Sequence, residues 1–322
     1  MATPLRFIPD DTKLWPDRHG HPIAVVEVTT RTVQGRFLLK PTQENTSLIL
    51  GVLGRAQRRY DFDLFGYAFL SNHYSLLLGV RSPEHLATTL CYINGNIARE
   101  LGRTENSDWK EKFWGRRSRC ILVLTDDDLR SRLRYLLANS TKEHLVKRPD
   151  RWPGAHCARP LCTGQQDTGA WVDRTELRRL RHIADKGRRV SQADATTYYP
   201  VRLSVLPCWA QLAASEQQGA VRQMCREISD QAAAERAASG GTVQGIKRLL
   251  RFSPHHKPDE MNSSPAPHVH CMDRALRIWF LQAYRRFVAA YQEAHSSLVR
   301  GLCAFRFPEG GPPPTRLALR PG

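Results

Sequence analysis

From residue 23 to residue 139 the spacing of apolar residues switches between two periods in a set order, and that order limits the folds open to the chain. Ile23 to Thr32 is β-branched, with Val26 and Val28 alternating against Glu27 and Thr29, which predicts a strand. Pro41 and Thr42 then open a stretch to about Tyr60 in which Leu48, Leu50, Val52, Leu53 and Ala56 recur at roughly helical spacing. Asp63 to Leu70 and His73 to Val80 read as two short strands joined by the turn residues Ser71 and Asn72. Ser82 is placed to cap a second helix, with Pro83 in its first turn, running to about Leu101. A basic connection leads to the apolar strand Cys120 to Leu124. Asp126 to Asp128 then head a helix through about Asn139, where carboxylates favour the helix N-terminus.

The order β-α-β-β-α-β defines an α+β chain of the split βαβ, ferredoxin-like kind: a four-stranded antiparallel sheet with two helices on one face. Many functions use that fold, so it selects none. Residues 1–21 read as an N-terminal arm, because Pro4, Pro9, Pro16 and Gly20 interrupt any regular element. The folded unit spans 22–157. Residues 158–307 are expected to form a mostly helical C-terminal domain: a basic helix over Glu176 to Lys186, two alanine-rich helices over Ser204 to Ala238, and a long helix over Asp273 to Gly301. In the last, Leu276, Phe280, Ala283, Phe287 and Tyr291 share one face. The Pro- and Gly-rich tail, 308–322, reads as disordered.

Charge narrows the partner. Lys plus Arg number 48 against 31 Asp plus Glu, a formal net charge of +17. Such an excess attracts polyanions, and release of counterions from phosphates strengthens the attraction at low salt. Arginine outnumbers lysine, which suits forked contacts to phosphate. A nucleic acid is the expected partner. No uncharged apolar run is long enough for a transmembrane helix, and the first ten residues lack a signal-peptide pattern, so no membrane association and a cytoplasmic location are expected. The eight cysteines are scattered, which predicts reduced thiols. Cys157 and Cys162 beside His156, and Cys271 beside His268 and His270, lack CxxC spacing and read against a zinc site.

Three separated pieces carry a family resemblance: Leu70-Ser71-Asn72-His73-Tyr74-Ser75-Leu76-Leu77-Leu78, then Phe113-Trp114-Gly115-Arg116-Arg117, then Leu133-Arg134-Tyr135-Leu136-Leu137-Ala138-Asn139-Ser140. In this order they resemble the REP-associated, IS200-like branch of the single-tyrosine HUH transposases, over about residues 22–157. The resemblance implies a DNA-cleaving and DNA-joining enzyme that acts on single-stranded hairpins as a monomer or homodimer. Its tyrosine attacks a phosphate, leaving a 5′-phosphotyrosine link and a free 3′-hydroxyl. Two histidines one residue apart, hence on one strand face, hold a Mg²⁺ or Mn²⁺ ion that polarises the phosphate. Carried onto this chain, Tyr135 is the nucleophile, His73 the first metal ligand and Asn139, one turn beyond Tyr135, a further oxygen donor. Ser75 stands where the second histidine belongs, and a neutral hydroxyl is a poor substitute for imidazole. Glu27 on the first strand can replace it if its side chain faces His73, a point that strand parity leaves open.

Candidate DNA contacts are Arg55, Arg58 and Arg59, then Lys110, Lys112, Arg116, Arg117 and Arg119 in the basic connection, with Arg178, Arg179, Arg181, Lys186, Arg188 and Arg189 further on. Trp109 and Tyr92 can stack on unpaired bases, whereas Trp114 reads as packing. His268-Val269-His270 spells the His-apolar-His pattern, yet follows a Ser- and Pro-rich stretch with no strand before it and reads as a loop. Two rivals to the enzyme stand beside it. One is a DNA-binding remnant or regulator of the same fold, its chemistry lost through Ser75. The other is an RNA-binding domain of the same topology, against which the missing aromatic pattern on the strands counts.

Overall fold

A computed structural model describes residues 7–12, 14–184, 189–258, 268–302 and 305–311. The predicted alternation appears as β2 (Pro22–Arg31), α1 (Gln43–Tyr60), β3 (Asp63–Phe69), β4 (His73–Val80), α2 (Pro83–Leu101), β5 (Arg119–Val123) and α3 (Asp126–Lys142), preceded by β1 (Trp15–Pro16). Each helix start is fixed by a side-chain oxygen accepting a backbone amide: Thr42 from Asn45, Ser82 from His85, Thr125 from Asp128. These hydroxyls satisfy donors that the first turn leaves unpaired.

The sheet runs β3-β4-β2-β5, every neighbouring pair antiparallel, as the split βαβ order requires. It does not stop at four strands. β8 (Val269–His270) joins the free edge of β5 in parallel, and β1 pairs with the start of β2. The first corrects the loop expected at His268-Val269-His270. The second corrects the irregular arm, since Trp15–Pro16 and β2 form a hairpin through the turn at Gly20, whose φ of +86° suits glycine. Proline is tolerated there because the strand is short and lies at an edge.

Helices α1 and α2 cover one face of the sheet. The Tyr74 hydroxyl, on that face, donates to Asn94 of α2. Helix α3 covers the other: a side chain at Gly66 of β3 would meet Leu133 and Leu136. A helix pair on one face, which is all the ferredoxin-like order supplies, would leave the second face bare. α3 with its buried Leu129, Leu133, Leu136 and Leu137 closes it.

Beyond residue 157 come α4 (Ala158–Thr163), β6 (Asp167–Val172), α5 (Arg174–Ile183), β7 (Thr196–Val201), α6 (Ala214–Ser239), α7 (Ile246–Arg251) and, after β8, α8 (Arg274–Val299). The region is largely helical, with one unexpected feature: β6 and β7 pair as an antiparallel hairpin that lies on α1. The two alanine-rich helices expected over Ser204 to Ala238 are one, α6, preceded by a short 3-10 turn at Pro207–Trp209. Helix α8 buries Phe280, Ala283 and Phe287 as its pattern predicts, whereas Leu276 is exposed. Phe7 packs on Phe280, Tyr284 and Phe287. A single apolar cluster extends from the sheet to Val201, Trp209, Val221, Ile228 and Phe280. Of the tail, residues 308–311 turn so that the Gly310 amide donates to Glu84; residues 312–322 lie outside the described residues.

Candidate active site

Strand register decides what His73 can meet. Arg31 lies opposite His73, Thr29 opposite Ser75 and Glu27 opposite Leu77. Side chains alternate across a strand, so these six occupy the same face of the sheet. On the far side of β2, Arg119 lies opposite Thr29 and Ile121 opposite Glu27. On β3, Ala68 and Gly66 extend the two rows. This is the face covered by α3, the helix that carries Tyr135. The first and third motif pieces therefore meet on one surface, while Trp114 of the second packs on Tyr74 and α2 on the other face.

His73 is neutral at physiological pH: burial, with Arg31 nearby, lowers its pKa to about 4. Its Nδ1 lies 2.7 Å from the Asn72 side-chain Oδ1, an arrangement in which Nδ1–H donates and Nε2 keeps its lone pair. Ser75 is buried, its hydroxyl 3.3 Å from that of Thr29. Glu27 does face the same side as His73, which answers the parity question, but four residues along the strands put their backbones roughly 14 Å apart. Its carboxylate is already taken. Glu27 Oε2 lies 3.5 Å from Arg132 Nη1 and 3.3 Å from His270 Nε2, and Arg132 Nη1 donates to His270 Nε2 at 3.0 Å. β8 brings His270 to this point, so the second His-apolar-His segment does reach the sheet, as a partner of Arg132.

On α3, Arg132, Tyr135, Asn139 and Lys142 follow one another at i, i+3, i+7 and i+10, along one flank of the buried leucine face. Tyr135 is 39% exposed in a helix otherwise anchored by apolar side chains. The Arg132 guanidinium stands 4.9 Å from its ring centroid and the Lys142 ammonium 5.2 Å. Asn139 is buried, and its Nδ2 has no hydrogen-bond partner among the described residues. Sequence reasoning found Tyr135 and missed its two cationic neighbours; the signal was their helical spacing from Tyr135.

The donor set does not fit the divalent cation that the resemblance implies. His73 offers one imidazole and Asn139 one neutral amide oxygen, Ser75 has its hydroxyl engaged with Thr29, and Glu27 is held by Arg132 at a distance. Among the described residues no group of three or more His, Cys, Asp or Glu side chains is placed to hold a metal. His156 and Cys157 are buried apart from such a group, and Cys162 lies 3.9 Å from Cys225, sulfur to sulfur.

The basic candidates fall in separate places. Arg55 lies in the α1–α2 layer, bonded to the Tyr92 hydroxyl and over the Trp171 ring at 4.1 Å; Arg58 and Arg59 are exposed on the same helix. Tyr92 is thus occupied by Arg55. Lys110, Lys112, Arg116, Arg117 and Arg119 are exposed, and the connection that carries them is tied to the His73 end of β2: Gly115 N–H donates to Arg31 O and Trp114 bridges to Thr32. Trp114 packs edge-on against Tyr74, as expected, and Trp109 carries the Arg36 guanidinium at 4.9 Å. Arg178, Arg179 and Arg181 are exposed on α5, with Arg179 paired to Glu176; Arg189 is exposed just beyond, while Lys186 and Arg188 lie outside the described residues.

No protein-family model matches the chain, and no curated protein matches it. Solved structures match in part, two of them transposases. One is a REP-associated tyrosine transposase bound to a REP hairpin, with a TM-score of 0.37 and 15% identity over 44% of this chain and 81% of that one. The other is a candidate transposase from Deinococcus radiodurans R1, with a TM-score of 0.29 and 15% identity over 38% of this chain and 95% of that one. Likeness at this level decides neither family nor activity. No helix among the described residues is long and apolar enough to cross a membrane.

Proposed function

We propose that this chain binds single-stranded DNA folded as a hairpin and that Tyr135 cleaves and rejoins it through a 5′-phosphotyrosine link. The observation that carries the reading is the setting of Tyr135: an exposed phenol between two cations, on the helix that covers the His73 face. In the reaction the Tyr135 Oη–phosphorus bond forms and the phosphorus–O3′ bond breaks. The phenol proton passes to water, and the leaving 3′ oxygen takes one from water. The link conserves the energy of the phosphodiester, so a second 3′-hydroxyl can reverse the step. Exposed Arg116 and Arg117 beside Arg31 suit the flanking phosphates.

A second reading, binding without chemistry, is favoured by Ser75, which is buried against Thr29 where the resemblance calls for a ligand. The two separate on a denaturing gel after incubation with an end-labelled hairpin oligonucleotide carrying a single-stranded flank. A covalent adduct is expected from the natural chain, none from Tyr135→Phe, and hairpin affinity within about twofold for both. Retained affinity with no adduct, or an adduct only after Ser75→His with Mn²⁺, selects the binding-only reading.

A further inference from the structure

We infer that the tyrosine site works without a divalent cation, and that Arg132 and Lys142 supply the positive charge that neutralises the scissile phosphate. The phosphate chemistry rests on the function proposed above; the absence of a metal requirement rests on the residues themselves.

Arg132 and Lys142 lie on either side of Tyr135 and contribute two positive charges, the number a divalent ion carries. Arg132 is held at one end and open at the other. Nη1 is engaged by His270 and Glu27, while Nε and Nη2 make no hydrogen bond among the described residues. A guanidinium anchored through one nitrogen presents its remaining N–H groups in the planar fork that matches two oxygens of a phosphate. Lys142 is exposed and forms no ion pair among the described residues, so its ammonium is available as a point charge. By contrast Arg130 and Arg134, on the same helix, are paired with Asp127 and Glu227. The two cations without surface carboxylate partners are the two that flank the nucleophile.

Glu27 completes the argument. Its carboxylate is buried, and Oε2 makes no hydrogen bond of ordinary geometry among the described residues. A buried carboxylate is retained at such cost when a cation compensates it, and here the cation is Arg132. The same contact directs Glu27 to Arg132, four residues along the strands from His73. The one acidic side chain on the His73 face of β2 therefore fixes a cation.

Two measurements test the inference with the full chain. In the first, equimolar Mn²⁺ is titrated into the protein and free ion is read by electron paramagnetic resonance. The six-line signal is expected to stay near its protein-free height; loss of one equivalent, reversed by His73→Ala, overturns the inference. In the second, adduct formation on the hairpin is compared in EDTA and in Mn²⁺. Yields within twofold are expected, with at least a tenfold fall in Arg132→Gln, partial recovery in Arg132→Lys and unchanged hairpin affinity of the folded variants for a flank-free stem. An adduct that requires Mn²⁺ overturns the inference and leaves the proposed function standing. No adduct in either condition, with the Mn²⁺ signal undiminished, removes the phosphate role of Arg132 together with that function.

Discussion

His156 shows at the scale of one residue how burial becomes a pH response. Its Nδ1 accepts the Ala158 amide at 3.1 Å, its Nε2 is buried without a partner among the described residues, and burial lowers its pKa to about 4. In the unfolded chain an ordinary histidine takes up its proton near 6.5. Between pH 6.5 and 4 the unfolded state therefore binds the proton that the fold refuses, and stability falls as pH falls through that window. The full effect of such a shift is about 3 kcal/mol. His73, shifted in the same direction, adds to it with the same sign. The free energy of urea unfolding is expected to decline from pH 7 to pH 4, and to decline less steeply in His156→Gln, whose amide can still accept from Ala158. An equally steep decline in that variant rules out His156 as a source.

Between elements, the sharpest constraint is the seat of the β6–β7 hairpin on α1. A Cβ on Gly51 would lie 2.0 Å from the Ala170 carbonyl oxygen, and one on Gly169 would lie 2.0 Å from the Gly51 nitrogen. Helix and strand backbones touch there, and only glycine on each permits it. Gly51→Ala must push the hairpin away; a loss of about 1–3 kcal/mol is expected, at the scale of overpacking, read from the urea midpoint. This contact also explains what the sequence concealed. β2 was legible because Val26 and Val28 alternate with Glu27 and Thr29, β3 to β5 because they are short apolar runs, and α1 and α2 because Thr42 and Ser82 cap them. In β6 and β7 the residues that matter are Gly169, Ala170 and Pro200, chosen for close approach or an edge, and they mimic a loop. β1 and β8, at two residues each, are too short to have a period. At the site, Tyr135 and His73 were legible by motif. The union of Glu27, Arg132 and His270 was not, because it joins three elements, β2, α3 and β8, across more than two hundred residues.

For the whole molecule, the net charge of +17 favours a polyanion as partner but does not say where it would lie. The fold places the candidates at two separate points, on α1 and at the Arg31 end of β2. Arg58 and Arg59 belong to α1, which lies with α2 behind the sheet. Arg116 and Arg117 adjoin Arg31, which lies opposite His73 on the face of Tyr135. If the proposed function holds, a strand that reaches Tyr135 lies on the sheet face away from α1 and is expected to meet the second group before the first. Each phosphate contact on a single strand contributes roughly 0.7 to the slope of log affinity against log salt. Arg116→Gln with Arg117→Gln is therefore expected to flatten that slope by about 1 to 1.5 and to weaken hairpin binding at 0.1 M salt. Arg58→Gln with Arg59→Gln removes the same formal charge and is expected to change the slope by less than half as much. Equal losses in the two double variants would mean that charge alone, spread over the surface, holds the DNA. A larger loss in the α1 pair would place the nucleic acid on the side of the sheet away from Tyr135, a position from which no covalent link can form.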